Sequence, residues 1–210
     1  MLAGDGAGPD AAAGTVAAGG SVVHRGTVTR LDLKLSASAS AMPVLESITV
    51  IGSGFPERTD PSALVIGPTG VAVRASCGSD NCEDRQGDDE GEDGALLYVA
   101  DTLSNRIAVI DHPLGRTSTA GIGRTLSEDG SLNGPLGLVI TPGGHLLTVN
   151  SGNGNLVEVT PFGLQVAVRK LDVSGNPPGA GALFGLAVKP QHRAVYFVDD
   201  ATNTFALLHH

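Results

Sequence analysis

The stretch Gly134-Pro135-Leu136-Gly137-Leu138-Val139-Ile140 decides the reading of this chain, because it recurs. Gly67-Pro68-Thr69-Gly70-Val71-Ala72-Val73 comes before it and Ala182-Leu183-Phe184-Gly185-Leu186-Ala187-Val188 after it, each a turn leading into a short apolar strand. Each is followed by a second strand ending in small polar residues: Leu96 to Asp101, Leu146 to Ser151, Val195 to Asp200. A polar turn then leads to a third strand: Asn105 to Ile110, Asn155 to Thr160, Asn203 to Leu208. Gly137 to Asn155 and Gly185 to Asn203 are both 18 residues, whereas Gly70 to Asn105 is 35, so the first unit holds a 17-residue insertion. With the insertion removed the glycines repeat at pitches of 50 and 48, the period of blades with several short strands each.

Composition agrees with an all-β chain. Gly occurs 30 times and Pro 12 times in 210 residues, often enough to cut the chain into short strands, and no window carries an apolar stripe at helical spacing. With no Trp and 3% aromatics, the core has to be aliphatic. The expected fold class is therefore all-β, a β-propeller, here a partial ring of about three to four four-stranded blades.

The expected divisions follow the repeat. Residues 1–20, rich in Ala and Gly, read as a disordered N-terminus with neither the basic start nor the apolar centre of a signal peptide. Residues 21–66 read as a half blade and connection, with Gly26 to Asp32 as a third strand, Leu45 to Ile51 as its outer strand, and the first two strands missing. Residues 67–133 form a blade with the acidic insertion at 74–95, 134–181 a blade, and 182–210 an incomplete last blade without an outer strand. An open arc exposes the apolar faces of its end blades. A truncated or split ring is thus expected, completed by further N-terminal blades or by oligomerisation.

The run Leu97-Tyr98-Val99-Ala100-Asp101-Thr102-Leu103-Ser104-Asn105-Arg106-Ile107 resembles an NHL repeat, and Asn150 to Val157 and Asp199 to Phe205 repeat it more loosely. Gly26 to Asp32, Gly52 to Val73 and the Gly-Pro-Leu-Gly-Leu block are similar to exported bacterial NHL-repeat proteins of unassigned function, so the resemblance covers about residues 21 to 210 and makes this the C-terminal part of such a protein. It implies a ring of six blades when complete and a periplasmic or extracellular location. About activity it implies little, since propellers host many unrelated functions.

Asp101, Asn150 and Asp199 close equivalent second strands. Such residues cap the following turn by accepting backbone N–H groups; the alternative is that they converge at one mouth and bind a divalent cation, as in gluconolactonase-like propellers, which also draw a carboxylate from an early blade lacking here. Eight of the 22 acidic residues fall between Asp80 and Asp93, a self-repelling solvated loop whose alternative role is calcium binding, although it lacks EF-hand spacing. Cys77 and Cys82 at its base form a disulfide if the chain is exported; a zinc site would need two more ligands. His24, His112, His145, His192, His209 and His210 read mostly as surface turn residues, with no nucleophile and orienting carboxylate placed beside them.

The net charge of −9 excludes nucleic acid and anionic membrane surfaces as expected partners, and no apolar run is long enough to span a bilayer. The expected function is a non-catalytic binding scaffold without a cofactor, taking a protein, peptide or glycan at a propeller mouth. The alternative is a divalent-metal-dependent hydrolase or lactonase using Asp101, Asn150 and Asp199, with calcium as its cofactor.

Overall fold

Short alternating apolar segments between tight turns can satisfy their backbone groups only by pairing with neighbours, and here they pair in sequence order. The computed structural model describes residues 2–4, 21–35, 42–60, 64–75, 94–189 and 194–209. No α-helix occurs among them. Four antiparallel meanders account for the strands. The first blade is β1 (Leu2–Gly4), β2 (Val23–Lys34), β3 (Val44–Asp60) and β4 (Leu64–Ile66). The second is β5 (Pro68–Arg74), β6 (Leu96–Asp101), β7 (Arg106–Asp111) and β8 (Arg124–Glu128). The third is β9 (Pro135–Ile140), β10 (Leu146–Asn150), β11 (Asn155–Val159) and β12 (Gln165–Lys170). The fourth has three strands, β13 (Leu183–Lys189), β14 (Ala194–Asp199) and β15 (Thr204–His209).

The period of two along each central strand sends successive side chains to opposite neighbours. In β6 and β7, Leu97, Val99, Ala108 and Ile110 pack against Val28, Ile51 and Phe55 of the first blade. Their alternates Tyr98, Ala100, Ile107 and Val109 pack against Leu138, Leu146, Val157 and Val159 of the third. In turn Leu147, Val149 and Leu156 of the third blade meet Leu183, Leu186, Val195 and Phe197 of the fourth. The core is thus three apolar junctions between four blades, which makes this a β-propeller arc.

The glycines of the repeat have a definite task. A Cβ at Gly70 would collide with the Leu136 carbonyl oxygen and lie 2.7 Å from Leu138 N; at Gly137 it would collide with the Phe184 carbonyl oxygen and lie 3.1 Å from Leu186 N. The inner strands β5, β9 and β13 therefore touch backbone to backbone, an approach only glycine permits. At Gly185 the nearest atom to such a Cβ is Val198 Cγ2, 3.7 Å away.

Two expectations change. The half blade has a second strand as well: β1 pairs with β2, Ala3 opposite Val28, and packs on β5 as β6 does on β9 and β10 on β13. Leu2–Gly4 thus form a strand within a stretch expected to be disordered. The equivalence of Asn155 with Asn105 and Asn203 also shifts by one residue. Asn105 (φ 53°), Gly154 (φ 65°) and Asn203 (φ 52°) hold the left-handed position, so Asn155 matches Arg106. Gly137 to Asn150 is 13 residues, against 14 from Gly185 to Asp199, which moved the glycine-based alignment.

Candidate functional site

In the second, third and fourth blades the second and third strands are joined by a four-residue loop. Asp101 pairs with Arg106 and Asp199 with Thr204 across the last rung, and in the third blade the last paired rung is Val149 with Leu156. Backbone bonds close the three loops: Asn105 N–H to Thr102 O at 3.2 Å and Asn203 N–H to Asp200 O at 3.2 Å, and, reaching one residue further back, Gly154 N–H to Asn150 O at 3.3 Å. Asn and Gly tolerate the left-handed conformation that ends each turn.

The residues ahead of these loops sit at equivalent places with different partners. Asp101 is fully buried and accepts from Arg106 Nε at 2.8 Å through Oδ2. Arg106 also donates to Thr125 Oγ1 at 3.0 Å and Ile122 O at 2.8 Å, and its guanidinium lies 6.0 Å from the Phe55 ring centroid. Asn150, also fully buried, donates from Nδ2 to Ser131 O at 2.7 Å and Asn153 Oδ1 at 3.1 Å. Asp199 accepts the Thr202 N–H at 3.2 Å. Among the described residues, Asp199 is the one of the three whose side chain accepts a backbone N–H of its own turn. Asp101 holds an arginine that occupies the first position of β7, and Asn150 ties its loop to the preceding connection.

Asp101 Oδ1 and Asn150 Oδ1 are buried and have no hydrogen-bond partner among the described residues. Their oxygen chemistry suits a hard cation, which gathers six to eight oxygen ligands. Among the described residues, however, no three His, Cys, Asp or Glu side chains come together in a group able to hold a metal. Glu83, Asp84, Asp88, Asp89, Glu90, Glu92 and Asp93 of the acidic insertion, together with Cys77 and Cys82, lie outside the described residues, as do His192 and His210. His112 lies in a turn, while His24 and His209 lie in strands β2 and β15 rather than in turns. His145 pairs with Glu158 at 2.7 Å on a partly exposed face, where the imidazole faces a carboxylate across the β10–β11 pair.

A second polar cluster, at the opposite end of the blades, escaped the sequence reading. Arg30 on β2 donates through Nη1 to the carbonyl oxygens of Leu114 at 2.6 Å, Arg116 at 3.0 Å and Pro113 at 3.3 Å, all in the loop after β7. Its Nε meets Asp32 Oδ1 at 3.0 Å, and Ser47 Oγ donates to Asp32 Oδ2. The Ser47 hydroxyl and then the Arg30 guanidinium hold the Asp32 carboxyl below its ordinary value. Arg116 reinforces the loop from within, donating to Ser118 O at 3.1 Å and Asp111 O at 3.0 Å. The loop borders an open hollow of about 330 Å³ lined by His112, Gly115, Arg116, Thr117 and Ser118. Nothing local in the sequence marks it, since Arg30 and its partners are more than 80 residues apart.

The chain is thus an all-β protein of the β-propeller class, defined by its meandering four-stranded sheets and the junctions between them. No protein-family profile matches it. No characterised protein sequence matches it either. Among solved structures it is similar to a luciferin-regenerating enzyme, at 13% identity and a TM-score of 0.47, over 77% of this chain and 46% of that one. It is also similar to the calcium-binding protein regucalcin from Agrobacterium tumefaciens str. C58, at 16% identity and a TM-score of 0.44, over 72% of this chain and 43% of that one. A third is a propeller in a nidogen/laminin complex, at 15% identity and a TM-score of 0.46, over 90% of this chain and 73% of that one. The chain spans less than half the length of the first two. No helix among the described residues is long and apolar enough to cross a membrane.

Proposed function

We propose that the chain is part of an NHL-type propeller and acts as a non-catalytic binding scaffold, taking a protein, peptide or glycan on the loops at one mouth. The observation that carries this reading is the commitment of the polar residues at the second-strand ends. Asp101 is engaged by Arg106, Asn150 by Ser131 O and Asn153, and Asp199 by the Thr202 N–H, so each serves the architecture of the arc. Recognition then falls to loops held rigidly on the blades, such as the 112–118 loop pinned by Arg30. Export and a Cys77–Cys82 disulfide belong to the same reading; thiol alkylation and mass measurement on secreted material would check both, and two free thiols would remove them.

A second reading has one observation in its favour. The unpartnered oxygens of Asp101 and Asn150, at equivalent places in adjacent blades, would serve a divalent-metal hydrolase with calcium as cofactor. In that case Asp101, Asn150 and Asp199 would hold the ion, and the ion would polarise a substrate carbonyl. Titration of calcium and zinc against thermal unfolding separates the two. The scaffold reading expects no change of melting temperature at millimolar metal, and a saturable rise that Asn150→Ala abolishes would replace it with the hydrolase.

A further inference from the structure

The second blade joins β7 to β8 with the twelve residues 112–123, where the third blade joins β11 to β12 with five, 160–164. The turn does not need the additional length, and additional length carried on a rigid blade is where recognition sits. The connection is also held at several points. Arg30 bonds three carbonyl oxygens of its first half. Its second half is tied to β3, with the Ala120 N–H on Ile51 O at 2.9 Å, the Ser53 N–H on Gly121 O at 2.9 Å, and the hydroxyls of Ser53 and Thr119 2.8 Å apart. A surface fixed before its ligand arrives loses little entropy on binding.

Its donors exceed what the fold consumes. Four arginines touch the connection or flank it, and three of them have an aspartate: Asp32 for Arg30 at 3.0 Å, Asp101 for Arg106 at 2.8 Å and Asp111 for Arg124 at 3.5 Å. Arg116 bonds carbonyl oxygens alone, through Nε and Nη1. Among the described residues its charge therefore meets no carboxylate and its Nη2 no acceptor. The side chains of His112, Thr117 and Ser118 make no hydrogen bond among the described residues, and neither do the N–H groups of Thr117 and Ser118. These residues, with Gly115, line the hollow of about 330 Å³, and none of the five is acidic. A fixed guanidinium beside hydroxyls and successive free N–H groups is a donor set for an oxyanion.

We propose that this hollow binds a small hydroxylated monocarboxylate of the uronic acid class. The Arg116 guanidinium and the N–H groups of Thr117 and Ser118 take the carboxylate, and the hydroxyls of Thr117 and Ser118 take those of the sugar. The inference rests on the scaffold reading and names the ligand of one of its loops. One unmatched cation suits one negative charge. None of the lining residues has a large apolar side chain, so the ligand is one that hydrogen-bonds over most of its surface, and the volume is at the small end of ligand sites. Polyanions are disfavoured by the acidic insertion. Ala95, its last residue, accepts the His112 N–H at 3.1 Å, so the eight acidic residues between Asp80 and Asp93 are tethered at this same end of the second blade. A ligand with a single charge meets far less of their repulsion than a chain of charges does.

The test is titration of the full, isotope-labelled chain with glucuronate at constant ionic strength, followed through the amide resonances of residues 115–118, with glucose and acetate as comparisons. The expected result is a saturable shift of those resonances with a Kd of about 1 mM, and binding roughly tenfold weaker or less for glucose and for acetate. Ser118→Ala, whose hydroxyl serves nothing in the fold, should weaken glucuronate roughly threefold or more. Arg116→Lys, which keeps the charge and loses the planar fork, should weaken it roughly tenfold, with thermal melts establishing that both variants are folded. No saturable shift by about 20 mM glucuronate overturns the proposal. So does acetate binding as tightly as glucuronate, since the sugar hydroxyls then contribute nothing, and so does an affinity unchanged in both variants. The calcium melts with Asn150→Ala test the scaffold reading separately, so a failure of glucuronate without a calcium effect removes this ligand and leaves that reading standing.

Discussion

Replacing Arg106 with methionine removes one partner of a buried pair and leaves the other in place. Asp101 is fully buried and the Arg106 side chain is 6% exposed, so water reaches neither without local opening. Among the described residues the arginine supplies the only hydrogen bond to the Asp101 carboxylate, and breaking such a pair from one side costs about 3 to 5 kcal/mol. The bonds to Thr125 and the Ile122 carbonyl are part of the same loss rather than additions to it, because all three leave with one side chain. In a chain of this length that corresponds to a fall of roughly 8 to 16 °C in melting temperature. Asp101→Asn in the Arg106→Met background removes the stranded charge and should restore about half of the loss, a coupling of roughly 2 kcal/mol. Urea titration followed by circular dichroism reads Arg106→Met, Asp101→Asn and the double variant. A loss below about 1 kcal/mol for Arg106→Met, or strict additivity in the double variant, would refute the claim that this pair anchors the second blade.

Gly137→Ala should cost several kcal/mol, because the new methyl meets main-chain atoms of β13 that no rotamer change can move; Gly185→Ala, whose methyl makes only an ordinary contact with Val198, should change urea stability by less than about 0.5 kcal/mol. Leu146→Ala opens a cavity in the junction between the second and third blades and should lower stability by about 2 to 5 kcal/mol in the same titration. The Asp32 carboxyl is held below the ordinary carboxylate value of about 3.8 in the folded chain, so its bonds to Ser47 and Arg30 stabilise the fold above that value and cease to do so as pH falls through the lowered one. Ser47→Ala should therefore be less stable than the parent at neutral pH and converge with it in strong acid; a gap that widens on acidification would contradict the assigned cause.

Most of the blade pattern was legible because it rests on local chemistry. The alternation in Leu97-Tyr98-Val99-Ala100 has no charge on either face, and a strand apolar on both sides has to be covered on both, which is what a blade between two others provides. The recurrent Gly70, Gly137 and Gly185 marked the inner strands, although the reason for glycine appears only when the neighbouring backbone is in place. Leu2–Gly4 was missed since three small or apolar residues carry no period, and a strand that short is decided by its pairing with β2 rather than by its own composition. Asp101, Asn150 and Asp199 take one position in the repeat, yet their partners were not legible: Arg106 looks like an exposed strand residue until Phe55 and Ile122 close over it. The Arg30 cluster was invisible for a related reason, as its partners are carbonyl oxygens and every residue has one.

The backbone contact at Gly70 and Gly137 bears on how this arc can change shape. Elsewhere in the junctions the spacing of the blades is set by side chains, which can be exchanged for larger or smaller ones with some adjustment of tilt. At the inner edge two peptide groups already touch, and no substitution can bring them closer. The inner edge therefore works as a hinge line of fixed length: core changes fan the outer strands apart or together, while the radius at the axis stays the same. An arc built in this way can add or lose blades at its ends without altering the curvature of those already in place.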